Sequence, residues 1–277
     1  MEAVYGRDIS EMLGTLSYQG LVNEVDAIMD VNPNDTHLRL HLKDRNPDDG
    51  MTAIAYDKGY FFLRLLEETV GRPAFDDFLK TYFTSHAFQV MDTDSFLSYL
   101  DANLLTTDAL RASVNVPAWV DGKGLPDNCP EVQSARLDLV DATLDAWVRG
   151  DKTASDLPWD QWLYQEKYRF LSNLPDDISA NRLAELDKAW SVNATGNNEV
   201  LFAWLEQAVR SHHTPAYGRL ETFLIHVGRR KFLTPLYKAM VETGQKAMAD
   251  AIYEQARPNY HSVATGTMDE LLERSAN

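Results

Sequence analysis

The sequence is poor in cysteine and in long apolar runs. Its single cysteine, Cys129, excludes an internal disulfide and a structural zinc site built from cysteines. No apolar stretch approaches the ~20 residues that a membrane span needs, and the N-terminal residues lack the basic segment and apolar core of a signal peptide. These absences favour a cytoplasmic protein without a membrane partner.

Positive charge is also scarce. Lys and Arg number 26 against 42 Asp and Glu, which gives a formal net charge of −16 at pH 7. Nucleic acids and anionic membranes are bound by concentrated Lys and Arg, so we expect neither of them as a partner. The 277 residues include 44% hydrophobic side chains, enough for one large or two medium folded domains with ordinary cores.

None of the seven histidines is followed by Glu-x-x-His, the motif in which two histidines on one helix bind zinc and the glutamate acts as a base. His37 and His41 have the four-residue spacing, but the alternation of apolar and polar residues over 37–42 predicts an extended strand. On a strand the two side chains would lie ~13 Å apart and could not share an ion. We therefore expect this chain to bind no metal.

Most of the chain shows apolar residues at spacings of three and four, which predicts a mainly α protein. The predicted helices cover residues 2–30, 56–70, a segment from Pro73, 95–104, 132–149, 159–172, 179–190, 197–211, 215–227, 230–242 and 244–256. Short connections between the later helices favour a HEAT- or armadillo-like stack. Glycine and proline concentrate where the periodicity stops, so we predict a domain at 1–111, a linker at 112–131 and a helical domain at 132–277.

One stretch of the first half is a candidate site. Residues 47–68 run from a polar, glycine-containing loop into a helix that is apolar nearly all round, which predicts a buried helix. Tyr56 and Lys58 lie where the loop becomes the helix, a kind of junction at which a rigid scaffold presents side chains to a cleft. The residues alone leave two alternatives for Tyr56: a packed tyrosine with a satisfied hydroxyl, or a group with a chemical role.

Three motifs resemble those of one enzyme family. They are Ile54-Ala55-Tyr56-Asp57-Lys58-Gly59-Tyr60, Trp119-x4-Gly124-Leu125-Pro126, and Gly228-Arg229-Arg230-Lys231-Phe232 followed by Thr234-Pro235. The first resembles the segment after the zinc site in peptidase family M1, the gluzincin aminopeptidases. The other two resemble the leukotriene A(4) hydrolase / aminopeptidase B group of that family. The resemblance implies the helical second half of a thermolysin-like catalytic domain, followed by an α-helical C-terminal domain.

The resemblance also implies roles for individual residues. Tyr56 takes the position of a tyrosine that donates a hydrogen bond to the oxyanion of the tetrahedral intermediate. Asp48 takes that of an aspartate lining the pocket wall, and Arg229 and Lys231 those of two cations that bind the carboxylate of a short peptide. From the residues alone, the basic segment has an alternative reading as a basic helix start on an acidic surface. The zinc of the full-length family enzyme is held by an HExxH segment that this sequence lacks, so we expect none here.

Two functions follow as hypotheses. In the first, the chain is the C-terminal part of a zinc metallo-aminopeptidase that releases N-terminal residues from short peptides and is inactive without a separate N-terminal half. Its partners would then be short peptides and that missing half. In the second, the chain is a non-catalytic α-helical repeat module that binds peptide carboxylates or a protein partner. The sequence leaves open whether this chain acts as an enzyme.

Overall fold

A computed structural model describes residues 2–45, 50 and 52–274 of the chain. Within these ranges the regular secondary structure is helical and no strand occurs, which confirms the prediction of a mainly α fold. The chain divides into two compact units, Met1–Ser134 and Ala135–Asn277, called here the first and the second unit. None of the described helices is both long and apolar enough to cross a membrane.

The first unit is built from helices of very unequal length. They are α1 (Glu2–Tyr5), α2 (Arg7–Met29), α3 (Gly59–Val70), α4 (Arg72–Ser85), α5 (Thr93–Asn103), α6 (Asp108–Val114) and α7 (Val116–Val120). A 3-10 turn covers Pro33–Thr36, and a π-helical turn at Ile54–Lys58 leads directly into α3. The helix predicted over residues 2–30 is interrupted at Gly6, where a φ of +83° leaves the helical region.

Helix α3 is less buried than its composition predicts. Phe61, Phe62 and Leu66 are at most 4% exposed and join the core of the first unit, but Tyr60 and Leu63 are more than a third exposed. The opposite face of α3 therefore stays open to solvent, and it carries Arg64, Glu67 and Glu68 beside the two apolar side chains. A helix that is apolar nearly all round predicts burial on every side, and this one is covered on one side by the described residues.

The strand predicted over residues 37–42 does not form. No second strand exists among the described residues to pair with it, and the Arg39 backbone N–H donates instead to the carbonyl oxygen of Val120, 3.0 Å away. Leu38 packs on the core of the first unit, and Leu40 lies so close to Gly50 that a Cβ on this glycine would be 2.6 Å from it. The alternating leucines therefore pack an irregular segment on its neighbours rather than form a sheet.

Residues 112–131, predicted as a linker, pack within the first unit. The Trp119 side chain is fully buried, and its indole N–H donates to the side-chain oxygen of Asn128 at 3.0 Å. The amide of Asn128 in turn donates to the carbonyl oxygens of Ser113 and Val114. Glycine and proline here turn the chain back on itself, as Gly124 does with a φ of +68°. The division between the units falls after Ser134.

The second unit is a stack of helices joined by short connections. They are α8 (Ala135–Arg149), α9 (Tyr164–Ser172), α10 (Ala180–Trp190), α11 (Asn198–Arg210), α12 (Tyr217–His226), α13 (Arg230–Glu242), α14 (Lys246–Ala256) and α15 (Ser262–Leu271). Helix α11 packs against α9 and α13, α13 packs against α15, and α12 packs against α14. Contacts between alternate helices are what a stack of helix pairs requires.

Two helices of the second unit depart from the predicted bounds. The helix predicted over 159–172 begins at Tyr164, because residues 159–161 form a separate 3-10 turn. Helix α15 lies beyond the last predicted helix. Its sequence includes Gly266, one serine and two threonines, which are weak helix formers, and burial of Ala264 and Met268 against the rest of the unit outweighs that preference.

Candidate functional site

Tyr56 lies on the π-helical turn Ile54–Lys58, immediately before α3. Turns of this kind are rare and occur frequently at functional sites. The Tyr56 side chain is 69% exposed, and its hydroxyl makes no hydrogen bond with a described residue. The first alternative for Tyr56, a packed tyrosine with a satisfied hydroxyl, is therefore wrong for the described part of the chain.

The turn that presents Tyr56 is held from below by two buried residues. Ile54 is 3% exposed, and Lys58 is fully buried. The Lys58 ammonium donates hydrogen bonds to the carbonyl oxygens of Thr36 at 2.8 Å and Gly122 at 3.1 Å. Burial lowers the pKa of Lys58 to about 8, because the charged form loses its hydration. The sequence places Lys58 at the junction but gives no sign of this bonding role.

Thr36 extends the support of the turn by one more residue. Its buried hydroxyl donates to the Pro33 carbonyl oxygen at 2.7 Å and accepts from the Gly124 backbone N–H at 2.8 Å. The 3-10 turn Pro33–Thr36, the loop at residues 122–124 and the π-turn are therefore tied together through Lys58 and Thr36. An exposed Tyr56 on such a support is a side chain whose backbone is fixed while its hydroxyl stays accessible.

Asp57, the next residue, faces a different feature. It lines a cleft of about 670 Å³ bounded by α2, α3 and the start of α4, and Tyr56 is not among the lining residues. Partial burial raises the pKa of Asp57, and a hydrogen bond from Ser17 opposes that rise. The arginines of the cleft are ion-paired; the Arg64 guanidinium, for example, lies 2.8 Å from Glu68. The acidic residues that line the cleft outnumber its arginines by five to three, and no arginine among its described residues is without an ion pair.

Asp48, the predicted pocket-wall residue, lies outside the described residues, so its predicted role stays a prediction. His37 and His41 belong to the irregular segment described above. Across residues 2–45, 50 and 52–274, no three His, Cys, Asp or Glu side chains converge as a metal site would require. Burial raises the pKa of the Cys129 thiol to about 11, which keeps it in the unreactive protonated form near neutral pH.

The basic segment of the second unit opens helix α13. Arg229 is its N-cap residue, and Arg230 and Lys231 occupy the first turn; all three side chains are exposed. Cations at a helix N-terminus are unfavourable because the macrodipole is positive there. The stability of α13 therefore does not account for three successive cations at its start.

Phe232 fixes the segment to the core. It is 2% exposed and packs against Phe202 and Phe223, with ring centroids 5.3 and 5.7 Å away. The Lys231 ammonium lies 4.8 Å and the Arg229 guanidinium 5.7 Å from the centre of the Phe232 ring. Both cations thus extend from one buried aromatic anchor to the surface.

The two predicted cations differ in their partners. The Lys231 ammonium lies 2.6 Å from a carboxylate oxygen of Glu199, which is in the first turn of α11. Arg229 forms no ion pair with a described carboxylate. Sequence reasoning missed Glu199, because the pair joins two helix starts that are 32 residues apart in the chain.

Comparison with known proteins matches the two parts of the chain to two different family models. The family model "Peptidase family M1 domain" matches residues 5–116, and the model "Leukotriene A4 hydrolase, C-terminal" matches residues 162–272. The leucine aminopeptidase 2 of Pyricularia oryzae is 29% identical over 276 residues, which cover 96% of this chain and 44% of that protein. A leukotriene A-4 hydrolase homolog of Botryotinia fuckeliana is 25% identical, covering 98% of this chain and 42% of that protein.

Solved structures share the fold. The structure of yeast LTA4 hydrolase in complex with Bestatin superposes with a TM-score of 0.87 at 23% identity, covering 98% of this chain and 47% of that one. The chain thus spans less than half the length of the relatives that it matches. The two family matches, one after the other along the sequence, show that the chain belongs to peptidase family M1, and that its helical second unit is the C-terminal domain of the leukotriene A4 hydrolase group.

Proposed function

We propose that this chain is the accessory part of a zinc aminopeptidase that releases N-terminal residues from short peptides. In this proposal the zinc ligands and the general base belong to a front part that the chain does not contain. The observation that carries it is the exposed Tyr56 on a turn fixed by the buried Lys58, within the residues that match the M1 family. That arrangement holds a hydrogen-bond donor in place before substrate arrives.

The proposed role of Tyr56 is to donate a hydrogen bond from its hydroxyl to the oxyanion that forms when water attacks the scissile carbonyl. A preorganised donor of this kind contributes about 3 kcal/mol of transition-state stabilisation. The hydroxyl needs no release from another partner among the described residues, and the tie through Lys58 restricts the backbone of the turn. Asp48 would line the substrate pocket and orient substrate or water.

The proposed role of Arg229 and Lys231 is to bind the C-terminal carboxylate of a short peptide. A guanidinium fork matches a carboxylate with two parallel hydrogen bonds, and an ammonium adds a point charge. Both groups are exposed on one surface of the second unit, anchored by Phe232. This role is proposed independently of where Tyr56 and Asp48 lie.

Zinc itself does not fit the described residues of this chain, since they offer no converging set of three ligands. In family enzymes a bound zinc activates water and polarises the scissile carbonyl. We assign no step of that chemistry to these residues. The purified chain should hold no stoichiometric zinc and should not hydrolyse aminoacyl-arylamides; one tightly bound zinc per chain in metal analysis would overturn the proposal.

A chimera tests the catalytic part. The front portion of the Pyricularia oryzae leucine aminopeptidase 2 would be fused to this chain, and aminoacyl-arylamide hydrolysis measured. Tyr56→Phe should lower kcat by about 100-fold at unaltered zinc content, which corresponds to the loss of one oxyanion donor. Tyr60→Phe is the matched control, because Tyr60 is a partly exposed tyrosine of the adjoining α3. A Tyr56→Phe chimera within about threefold of the parent would remove the proposed role.

A non-catalytic module that binds peptide carboxylates is the second candidate. It is favoured by one observation: Arg229 is exposed and has no carboxylate partner among the described residues. This function needs neither zinc nor a front half. It would be supported if the chain alone bound peptides through their C-terminal carboxylate while the active chimera gained nothing from Arg229.

A further inference from the structure

The Glu199–Lys231 ion pair changes what the basic segment can bind. We propose that Glu199 is a specificity-determining residue of the carboxylate site, because it competes with the peptide carboxylate for Lys231. The inference rests on the proposed role of Arg229 and Lys231 and adds a residue to it. It follows from one short contact, the 2.6 Å separation of the Lys231 ammonium and the Glu199 carboxylate.

Both partners of the pair are held in place by their own helices. The backbone N–H groups of Glu199 and Val200 donate to the Asn197 side-chain oxygen, at 2.9 and 3.1 Å, which caps the first turn of α11. Lys231 is fixed by its neighbour Phe232, which is buried between aromatic rings. Helices α11 and α13 pack directly on each other. The two charged groups therefore face each other from two fixed starts, and only their side chains are free to rearrange.

The pair leaves the two cations of the site unequal. Arg229 has no anionic partner among the described residues, so a peptide carboxylate can bind its guanidinium without displacing another group. Lys231 can bind the same carboxylate only if Glu199 gives way or tolerates a second anion close by. A carboxylate is repelled by Glu199 in either case, so the site should bind free peptide carboxylates more weakly than two uncompensated cations would.

The size of the effect is bounded by solvent. Both side chains are partly exposed, with 48% exposure for Lys231 and 31% for Glu199, so water and salt screen the interaction. Neutralising Glu199 should therefore tighten carboxylate binding by about threefold to fivefold, rather than by orders of magnitude. A ligand of the same shape without the negative charge should show no change.

The test measures the binding of tri-alanine with a free C-terminal carboxylate and of tri-alanine carboxamide to the full chain by NMR titration. Glu199→Gln should raise the affinity for the acid by about threefold to fivefold and leave that for the amide unaltered. Glu206→Gln is the matched control, because it removes a negative charge from the same helix at a residue that pairs with Arg210. In a Lys231→Met background, Glu199→Gln should give a smaller gain.

A purely structural role of Glu199, as an acid in the first turn of α11, would lower stability and leave the ratio of acid to amide affinity unaltered. If Arg229→Met removes the preference for the acid but Glu199→Gln does not alter it, the proposed carboxylate site stands and the role of Glu199 is wrong. If the parent chain and Glu199→Gln both bind acid and amide equally, the carboxylate site itself is wrong. An equal gain with Glu206→Gln would reduce the effect to net charge and overturn the inference.

Discussion

The two units are similar in length, yet they bury apolar side chains very differently. In the second unit one continuous core cluster draws residues from every helix from α8 to α15. The core of the first unit is smaller. Several large apolar side chains of this unit lie outside its core and are more than 60% exposed, such as Tyr5, Phe83 and Phe88. Burial of apolar surface is the main favourable term in folding. We therefore expect the first unit to be the less stable of the two.

Replacing one buried tryptophan in each unit, in separate variants, should give the largest effects on stability. Trp119 in the first unit and Trp204 in the second are both fully buried, and each indole N–H donates to an asparagine, Asn128 at 3.0 Å and Asn193 at 3.1 Å. Replacement by alanine should cost about 3–5 kcal/mol at either position. In denaturant unfolding, Trp119→Ala should shift an early transition and Trp204→Ala a late one. A single transition that both variants shift equally would break the comparison.

The free energy of unfolding of the first unit should depend on pH differently from that of the second unit because of Lys58. Its pKa is about 8 in the folded chain and 10.5 when unfolded, so the unfolded state holds more protons between these values. The free energy of unfolding should rise with pH across this window, by about 3 kcal/mol in total, as the cost of burying the ammonium disappears. Below pH 8 that cost is present in full.

Lys58→Met should remove this rise, measured as the difference between the unfolding free energies of parent and variant from pH 7 to 10.5. Lys80→Met is the control, since Lys80 is an exposed residue of α4 and its removal also subtracts one positive charge. A difference that stays constant with pH would show that Lys58 carries the same charge in both states.

The helices of the second unit were largely predictable from sequence, and the support of Tyr56 was not. Helix α13 has the predicted bounds 230–242, and α11 lies within one residue of its predicted ends, because an apolar stripe and the flanking turns are local signals. Lys58, in contrast, bonds to carbonyl oxygens of residues 22 and 64 positions away. No local sequence pattern predicts such a bond, because every residue has the same backbone carbonyl group.

The site residues divide in the same way. Tyr56, Arg229 and Lys231 were identified through short motifs that resemble the family, and the structure adds their exposure and partners. Glu199 was missed because acidic residues are common in the first turn of a helix, where the positive end of the macrodipole stabilises them. Only the packing of α11 on α13 brings it to Lys231. The strand predicted at 37–42 does not form, for a related reason. Alternation of apolar and polar residues indicates which side of a segment is buried, but not which elements cover that side.

A smaller effect should follow from Thr36, the hydroxyl that links two loops of the first unit. Thr36→Val keeps the shape but leaves the Gly124 backbone N–H without its acceptor at 2.8 Å. A buried donor without a partner costs about 1–3 kcal/mol, so the early unfolding transition should shift while the late one stays. Thr36→Ser retains the hydroxyl and serves as control. If Thr36→Ser were as unstable as Thr36→Val, the buried methyl group and not the hydrogen bond would be responsible.

The smallest expected effect compares one helix cap from each unit. The Asn197 side chain accepts from two backbone N–H groups of α11, at 2.9 and 3.1 Å, and the Thr107 hydroxyl accepts from one of α6, at 3.3 Å. Loss of a cap costs about 1 kcal/mol, so Asn197→Ala should shift the late transition by about this amount and Thr107→Ala the early transition by less. Asn197→Asp, which keeps the acceptor, should restore stability. If Asn197→Ala moved the early transition instead, the two units would not unfold separately, and the difference in their cores would not decide which one opens first.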